Sequence, residues 1–257
     1  MFDLYIGNKN YSSWSLRPWL LMKHFAIPFT EHQVPIFGGD YNPALKAIAG
    51  SARVPCLHDD GFQVWESSAI AEYLAERHPT MWPAQAHARA RARSVAAEMH
   101  AGFHHLRSAM PMNLKLKLRG KAAAPEVQRD IERVFEIWHE ARTQFATGDG
   151  PYLFGAFSIA DAMFAPVVWR LHTYNVELPP VAAAYCEAML AHPAMIEWHA
   201  AAIRESEALA AYDVLADEYG GARQAAFPAG ECAPGCDPTV SLTAPDRFAT
   251  IQPALAK

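Results

Sequence analysis

The hydrophobic pattern changes its period once, near residue 80, and that change constrains the fold more than any other feature. Before it, short apolar runs alternate with turn-marking glycines and prolines. After it, apolar residues recur at helical spacing. Phe2-Asp3-Leu4-Tyr5-Ile6-Gly7 reads as a strand ending at a glycine, and the residues from Asn8 to Ser13 as a polar turn. A helix is predicted from Ser15, with Leu16, Trp19, Leu20 and Lys23 along one side and Pro18 in its first turn. Ile27-Pro28 ends it. Residues 29–34 alternate and predict a second strand, parallel to the first through the helical crossover. Residues 38–50 hold one helical turn. Val54-Pro55-Cys56-Leu57 is a third apolar run, Asp59-Asp60-Gly61 a hairpin turn, and Phe62-Gln63-Val64-Trp65 its partner strand. Ser67 then opens a helix carrying Ile70, Tyr73 and Leu74.

This order, β-α-β followed by α-β-β-α, assigns residues 1–78 to one domain. Residues 79–84, with Pro79 and Pro83, form a linker. Residues 85–219 form an all-helical domain, with helices expected over 85–109, 126–145, 158–174, 181–190 and 194–207. Residues 220–257 carry five prolines, several glycines and little periodicity, so an irregular tail is expected.

Composition narrows the function. Apolar residues make up 51% and charged residues 19%, enough for a sizeable core. A net charge of −5 lacks the basic footprint of a nucleic-acid binder. No apolar run approaches the ~18–20 residues of a membrane span, and the first residues do not resemble a secretory signal. Cys56, Cys186, Cys232 and Cys236 are too few for a disulfide scaffold, so a cytoplasmic protein is expected.

Four short segments are candidates for chemistry. Tyr11-Ser12-Ser13-Trp14-Ser15-Leu16-Arg17-Pro18 places hydroxyls at a helix start, where unpaired N–H groups and the helix dipole favour an anion such as a thiolate. On this segment alone, Ser13 or Ser15 as a plain helix cap is the better reading. Arg53-Val54-Pro55 precedes a buried strand. A cis bond there would turn the Val54 N–H and C=O outward to pair with a peptide-like ligand. Trp65-Glu66-Ser67-Ser68 sets a carboxylate and two hydroxyls before a helix, either as a cap or to hold a ligand carboxylate and amino group. Ser158-Ile159-Ala160-Asp161 is a capping box.

In order and spacing, these segments resemble the cytosolic glutathione transferase superfamily over roughly residues 2–210. The resemblance implies an α/β thioredoxin-like N-terminal domain followed by an all-α C-terminal domain. It implies glutathione as co-substrate, a homodimer, and no metal, nucleic-acid or membrane partner. Ser12-Ser13-Trp14-Ser15 resembles the serine-type classes, including zeta. By that alignment Ser12 activates the glutathione thiol, with Ser13 a rival and Ser15 standing where other members often carry cysteine. The zeta pattern has cysteine at the place of Trp14, which speaks against maleylacetoacetate isomerase activity. Arg53, Val54, Pro55, Glu66 and Ser67 are the implied glutathione-binding residues, with Lys46 nearby. The implied activity is thiol attack on a small apolar electrophile. A glutathione-dependent isomerase, lyase or peroxidase, or a non-catalytic glutathione-binding scaffold, remains open on the same fold.

The energetics suit a serine. A thiol of pKa about 8.5 is a few per cent ionised at pH 7, and lowering it by two units takes roughly 2.7 kcal/mol. A hydrogen bond to a charged group supplies about 1.5–3 kcal/mol, and a helix terminus about 0.3–1 kcal/mol more. Phe103, His104 and Met110 are candidate second-substrate residues, though core packing explains the apolar pair equally well. His100 and His104, four apart, would share a face of the 85–109 helix, but no acidic or cysteine partner is evident for a metal. Arg89, Arg91 and Arg93 read as a solvated face or as partners of acids across a dimer interface. Cys232 and Cys236 lack the further ligands a zinc site needs.

Overall fold

The computed structural model describes residues 1–35, 43–118 and 124–209. The expectations for the tail, Cys232 and Cys236 lie outside these residues.

Four strands form one sheet in the order β2-β1-β3-β4. β1 (Phe2–Ile6) and β2 (Phe29–Gln33) run parallel, with Leu4 opposite Glu31. They are joined through α1 (Ser13–His24), as the sequence predicts. β3 (Cys56–Asp59) lies antiparallel to β1, and β4 (Phe62–Trp65) closes a hairpin on β3. The hairpin turn has positive φ at both Asp60 (49°) and Gly61 (88°). That is the geometry a two-residue hairpin of this twist needs, and Asp-Gly supplies it at little cost. The sheet with its helices, followed by a helical half, is the expected thioredoxin-like plus all-helical architecture.

α1 begins two residues earlier than expected. Pro18 therefore sits inside the helix, where its ring removes the bond to the Trp14 carbonyl, and not in the first turn. Every residue from Ser15 to Met22 is buried, because α1 packs on α3 (Ser67–Ala75) on one side and on helices of the second half on the other. Fully burying side chains such as Leu16 and Leu20 stabilises by about 1.5–3 kcal/mol each.

α2 (Pro43–Ile48) precedes β3, and a 3-10 turn at Pro79–Met81 leads into the helical half. There follow α4 (Ala86–Ala101), α5 (His104–Ala109), α6 (Pro125–Glu140) with a π-helical turn (Ala141–Phe145), α7 (Ile159–Thr173), α8 (Pro180–Leu190) and α9 (Pro193–Arg204). α7 is the hub, with 14 of its 15 residues buried. Its start is fully bonded: the Asp161 carboxylate accepts from Ser158 N–H, Ser158 Oγ and Leu153 N–H at 2.8–2.9 Å.

The single helix expected over 85–109 is two helices. A Cβ on Gly102 would meet the Glu98 carbonyl oxygen at 2.8 Å, and Phe103 follows with φ of 58°. The chain turns there, so His100 and His104 do not share a face.

The loop between β1 and α1 is bound to the helical half. Asn10 Oδ1 accepts from the N–H groups of Leu114 and Lys115, Trp198 Nε1 donates to the Lys9 carbonyl, and the Glu205 carboxylate accepts from Lys9 and Asn10 N–H. These contacts hold the segment that presents Ser12 and Ser13.

Candidate functional site

The start of α1 assigns separate jobs to its three serines. Ser12, not Ser13 or Ser15, is the cap: its Oγ accepts from Ser15 N–H at 3.4 Å. Ser12 Oγ also donates to Ser15 Oγ at 2.8 Å, and Ser15 Oγ accepts from Gly7 N–H at 3.0 Å. Ser15 is fully buried and Ser12 is 8% exposed. Ser13 opens the helix and is half-buried. The three groups thus form a chain of hydrogen bonds from the end of β1 to the helix start, and chains of this kind polarise one another.

The start of α3 lies at the other edge of the same region. The Val54-Pro55 bond is cis. Pro55 is buried, Val54 half-buried and Arg53 exposed. Lys46 Nζ donates to the Gly50 carbonyl. Glu66, rather than Ser67 or Ser68, occupies the cap position, and its side chain makes no capping bond. Its φ of 68° is a conformation that costs a non-glycine residue about 1–3 kcal/mol and concentrates at ligand sites. Ser67 is 1% exposed, yet its Oγ has no hydrogen-bond partner among the described residues. A buried hydroxyl left unpaired is uncommon, because losing water without a replacement bond costs about 1–3 kcal/mol.

The segment after α4 completes the region. The His100 ring stands edge-on to Trp14 with centroids 5.2 Å apart, and its Nε2 is 4.0 Å from Glu66 Oε2. Burial is the main cause of a lowered His100 pKa, followed by the Arg17 charge. Of the residues named for a second substrate, Phe103 and Met110 pack into the hydrophobic core, while His104 is exposed beside His105.

Two arginines escape a sequence reading. The guanidinium carbons of Arg17 and Arg107 lie 4.2 and 4.5 Å from the centroid of the Trp14 ring. Arg17 is 2% exposed, and its Nε and Nη1 are buried without an acceptor among the described residues. Burial, then the charges of Arg107 and Arg170, depress its pKa well below the usual guanidinium range. Arg107 donates through Nη1 to the carbonyls of His100 and Gly102. The available signal was Arg17 itself, a charge within the otherwise apolar run from Leu16 to Met22, with Trp14 three residues before it.

Other side chains are occupied elsewhere. Arg89 bonds the Pro83 and Ala84 carbonyls, Arg91 pairs with Glu140, and Arg93 lies 3.9 Å from Glu72, so their partners are within the chain. Burial pushes the Cys56 thiol up to about 11 and the Cys186 thiol up to about 12, leaving both un-ionised at neutral pH. Among the described residues no group of three or more His, Cys, Asp or Glu is placed to hold a metal ion, and no helix is long and apolar enough to cross a membrane.

Comparison with known proteins places this geometry in a family. Residues 11–77 match the model of the glutathione S-transferase N-terminal domain, and residues 122–201 that of the C-terminal domain. A maleylacetoacetate isomerase of Pseudomonas aeruginosa is 29% identical over 205 residues, 77% of this chain and 95% of that protein. A stringent starvation protein A homologue of Coxiella burnetii is 30% identical over 138 residues, 51% of this chain and 59% of that protein. A glutathione transferase homologue from Burkholderia gl BGR1, solved with bound glutathione, superposes with a TM-score of 0.58 at 26% identity, covering 80% of this chain and 99% of that one. With both domain models matched in order on a four-stranded sheet followed by a helical half, the chain belongs to the glutathione S-transferase superfamily.

Proposed function

We propose that the protein is a glutathione-dependent enzyme in which a serine hydroxyl at the start of α1 activates the thiol for attack on a small electrophile. The observation that carries the reading is the unpaired, buried Ser67 Oγ at the start of α3, next to the Glu66 carboxylate. Ser67 donates to the γ-glutamyl carboxylate of glutathione, and Glu66 accepts from its amino group. The Val54 backbone, just before the cis bond, pairs with the peptide, and exposed Arg53 stands beside it. A homodimer is part of the same reading.

Bound glutathione supplies the sulfur nucleophile. The protein's part is to hold the anion. Ser12 now donates to Ser15. If the pair reverses, Ser15 donates to Ser12 while still accepting from Gly7 N–H, and the Ser12 proton is free to point at sulfur. The proton lost by the thiol leaves to solvent, so no buried base is required.

Titration with reduced glutathione tests the binding half, and saturable binding is expected. Turnover of electrophile panels tests the rest. Ser12→Ala is expected to lose most activity while keeping glutathione affinity. Unchanged turnover in Ser12→Ala with loss in Ser13→Ala would reassign the hydroxyl. Two observations favour second readings. Similarity to a maleylacetoacetate isomerase supports isomerisation on the same site. The Ser12 hydroxyl, engaged with Ser15, favours glutathione binding without turnover.

A further inference from the structure

Arg17 is a buried charge with unspent donors. A charge taken from water is costly unless an opposite charge or acceptors meet it. Here Nε and Nη1 meet none among the described residues, and no carboxylate among them pairs with Arg17 or Arg107. The charges that act on it, those of Arg107 and Arg170, are of the same sign. What holds Arg17 in place is the Trp14 ring, a cation–π contact, with Arg107 against the same ring.

The position bears on chemistry. A helical side chain leans toward the helix N-terminus, so Arg17 reaches back over the turn that carries Ser13 and Trp14. Trp14 is half-buried, Arg107 is partly exposed, and the neighbouring His100 and Glu66 side chains are 27% and 46% exposed. The cluster is therefore open on the side of the α3 start, where the proposed glutathione site lies. Arginine is also the side chain best shaped to grip a carboxylate with two parallel bonds.

We infer that Arg17 and Arg107, gathered on Trp14, form an anion subsite that takes a carboxylate of the second substrate beside the reacting sulfur. This rests on the glutathione reading and narrows it: the electrophile carries a carboxylate, and the site selects against neutral analogues. Phe103 and Met110, named for the second substrate, pack into the core.

Calorimetric titration of the full chain with S-(carboxymethyl)glutathione and S-(carbamoylmethyl)glutathione tests this, because the two conjugates differ by one charge next to sulfur. The acid is expected to bind wild type about tenfold more tightly than the amide, about 1.4 kcal/mol. Arg107→Gln is expected to bring the two conjugates to about the same affinity, with reduced glutathione binding as before. Arg17→Met should do the same; if it does not fold, the partly exposed Arg107 decides alone. A second readout omits glutathione: sodium succinate should raise the melting temperature of wild type and not of Arg107→Gln. Equal binding of the two conjugates to wild type overturns the inference and leaves the glutathione reading standing. Equal weakening of both conjugates and of glutathione in Arg107→Gln also overturns it, because the arginines would then serve glutathione's own carboxylates. If no glutathione species binds, the glutathione reading falls and succinate decides: a rise in wild type lost in Arg107→Gln supports the subsite, and no rise ends it.

Discussion

The starts of α3 and α7 use the same two ingredients, a serine and an acidic residue, and put them to opposite uses. At α7, Asp161 collects three donors and Ser158 is engaged on both its N–H and its hydroxyl. At α3, Glu66 is held at positive φ with no capping bond, and the Ser67 hydroxyl is buried with no partner among the described residues. A satisfied helix start stabilises the fold. An unsatisfied one costs stability and keeps its donors for something else. The contrast makes Ser158 a structural serine and leaves the Ser67 hydroxyl available for the proposed ligand.

Asp161→Ala should give the largest effect. It strands three buried donors at about 1–3 kcal/mol each, so a loss of about 3 kcal/mol or more in urea unfolding is expected. Binding per folded molecule should be unchanged. A loss below about 1 kcal/mol would break the comparison from the α7 side.

Ser67→Ala tests the other side. It removes a buried hydroxyl that bonds nothing described in the protein, so the free protein should be stabilised, by about 1–3 kcal/mol. Glutathione affinity should fall about tenfold or more, the value of one hydrogen bond to a charged group. A large stability loss with intact affinity would make Ser67 structural.

The smallest effect concerns a third helix start. His192 caps α9, with Nδ1 accepting from Ala194 N–H, so the neutral ring carries its proton on Nε2 and donates it to His24 Nδ1 at 2.8 Å. Burial lowers the His192 pKa, and burial followed by the His192 charge lowers His24 to about 4. Both folded values lie below the unfolded value of about 6.5. The pair's contribution to stability is therefore complete above about pH 6.5 and is lost as pH falls toward about 4. The loss should be shallow, because solvent still reaches His24. His192→Asn retains a good cap that does not titrate, and unfolding midpoints measured from pH 7 to 4 should show a flatter acid limb. An unchanged acid limb would remove the pair from the account.

Much of the fold was legible because it depends on near neighbours. The strand periods before residue 80, the Asp60-Gly61 turn and the capping box at Ser158 are each set by residues a few positions apart, and all three stand as expected. The break at Gly102 was not legible. Alanine, arginine and methionine on both sides favour helix, and one glycine costs a helix only about 1 kcal/mol. The choice among Ser12, Ser13 and Ser15 was equally closed, since each hydroxyl suits a cap. Ser15 is excluded from that role by the Gly7 N–H across the loop.

By itself, then, the sequence determined where the period changes, where the helices begin, and that hydroxyls, a Val-Pro bond and an acid–serine pair recur in a family's order. Only the tertiary structure decided which of those polar groups are satisfied. Ser158, Ser15 and the Asn10 Oδ1 find partners, while Ser67 Oγ, the Asn10 Nδ2 and the Arg17 Nε and Nη1 do not, among the described residues. The reason is range. Periodicity and turn geometry are set within a few residues of chain, whereas the acceptor that answers a buried donor can come from more than a hundred residues away, as the Asn10 bond to Leu114 does.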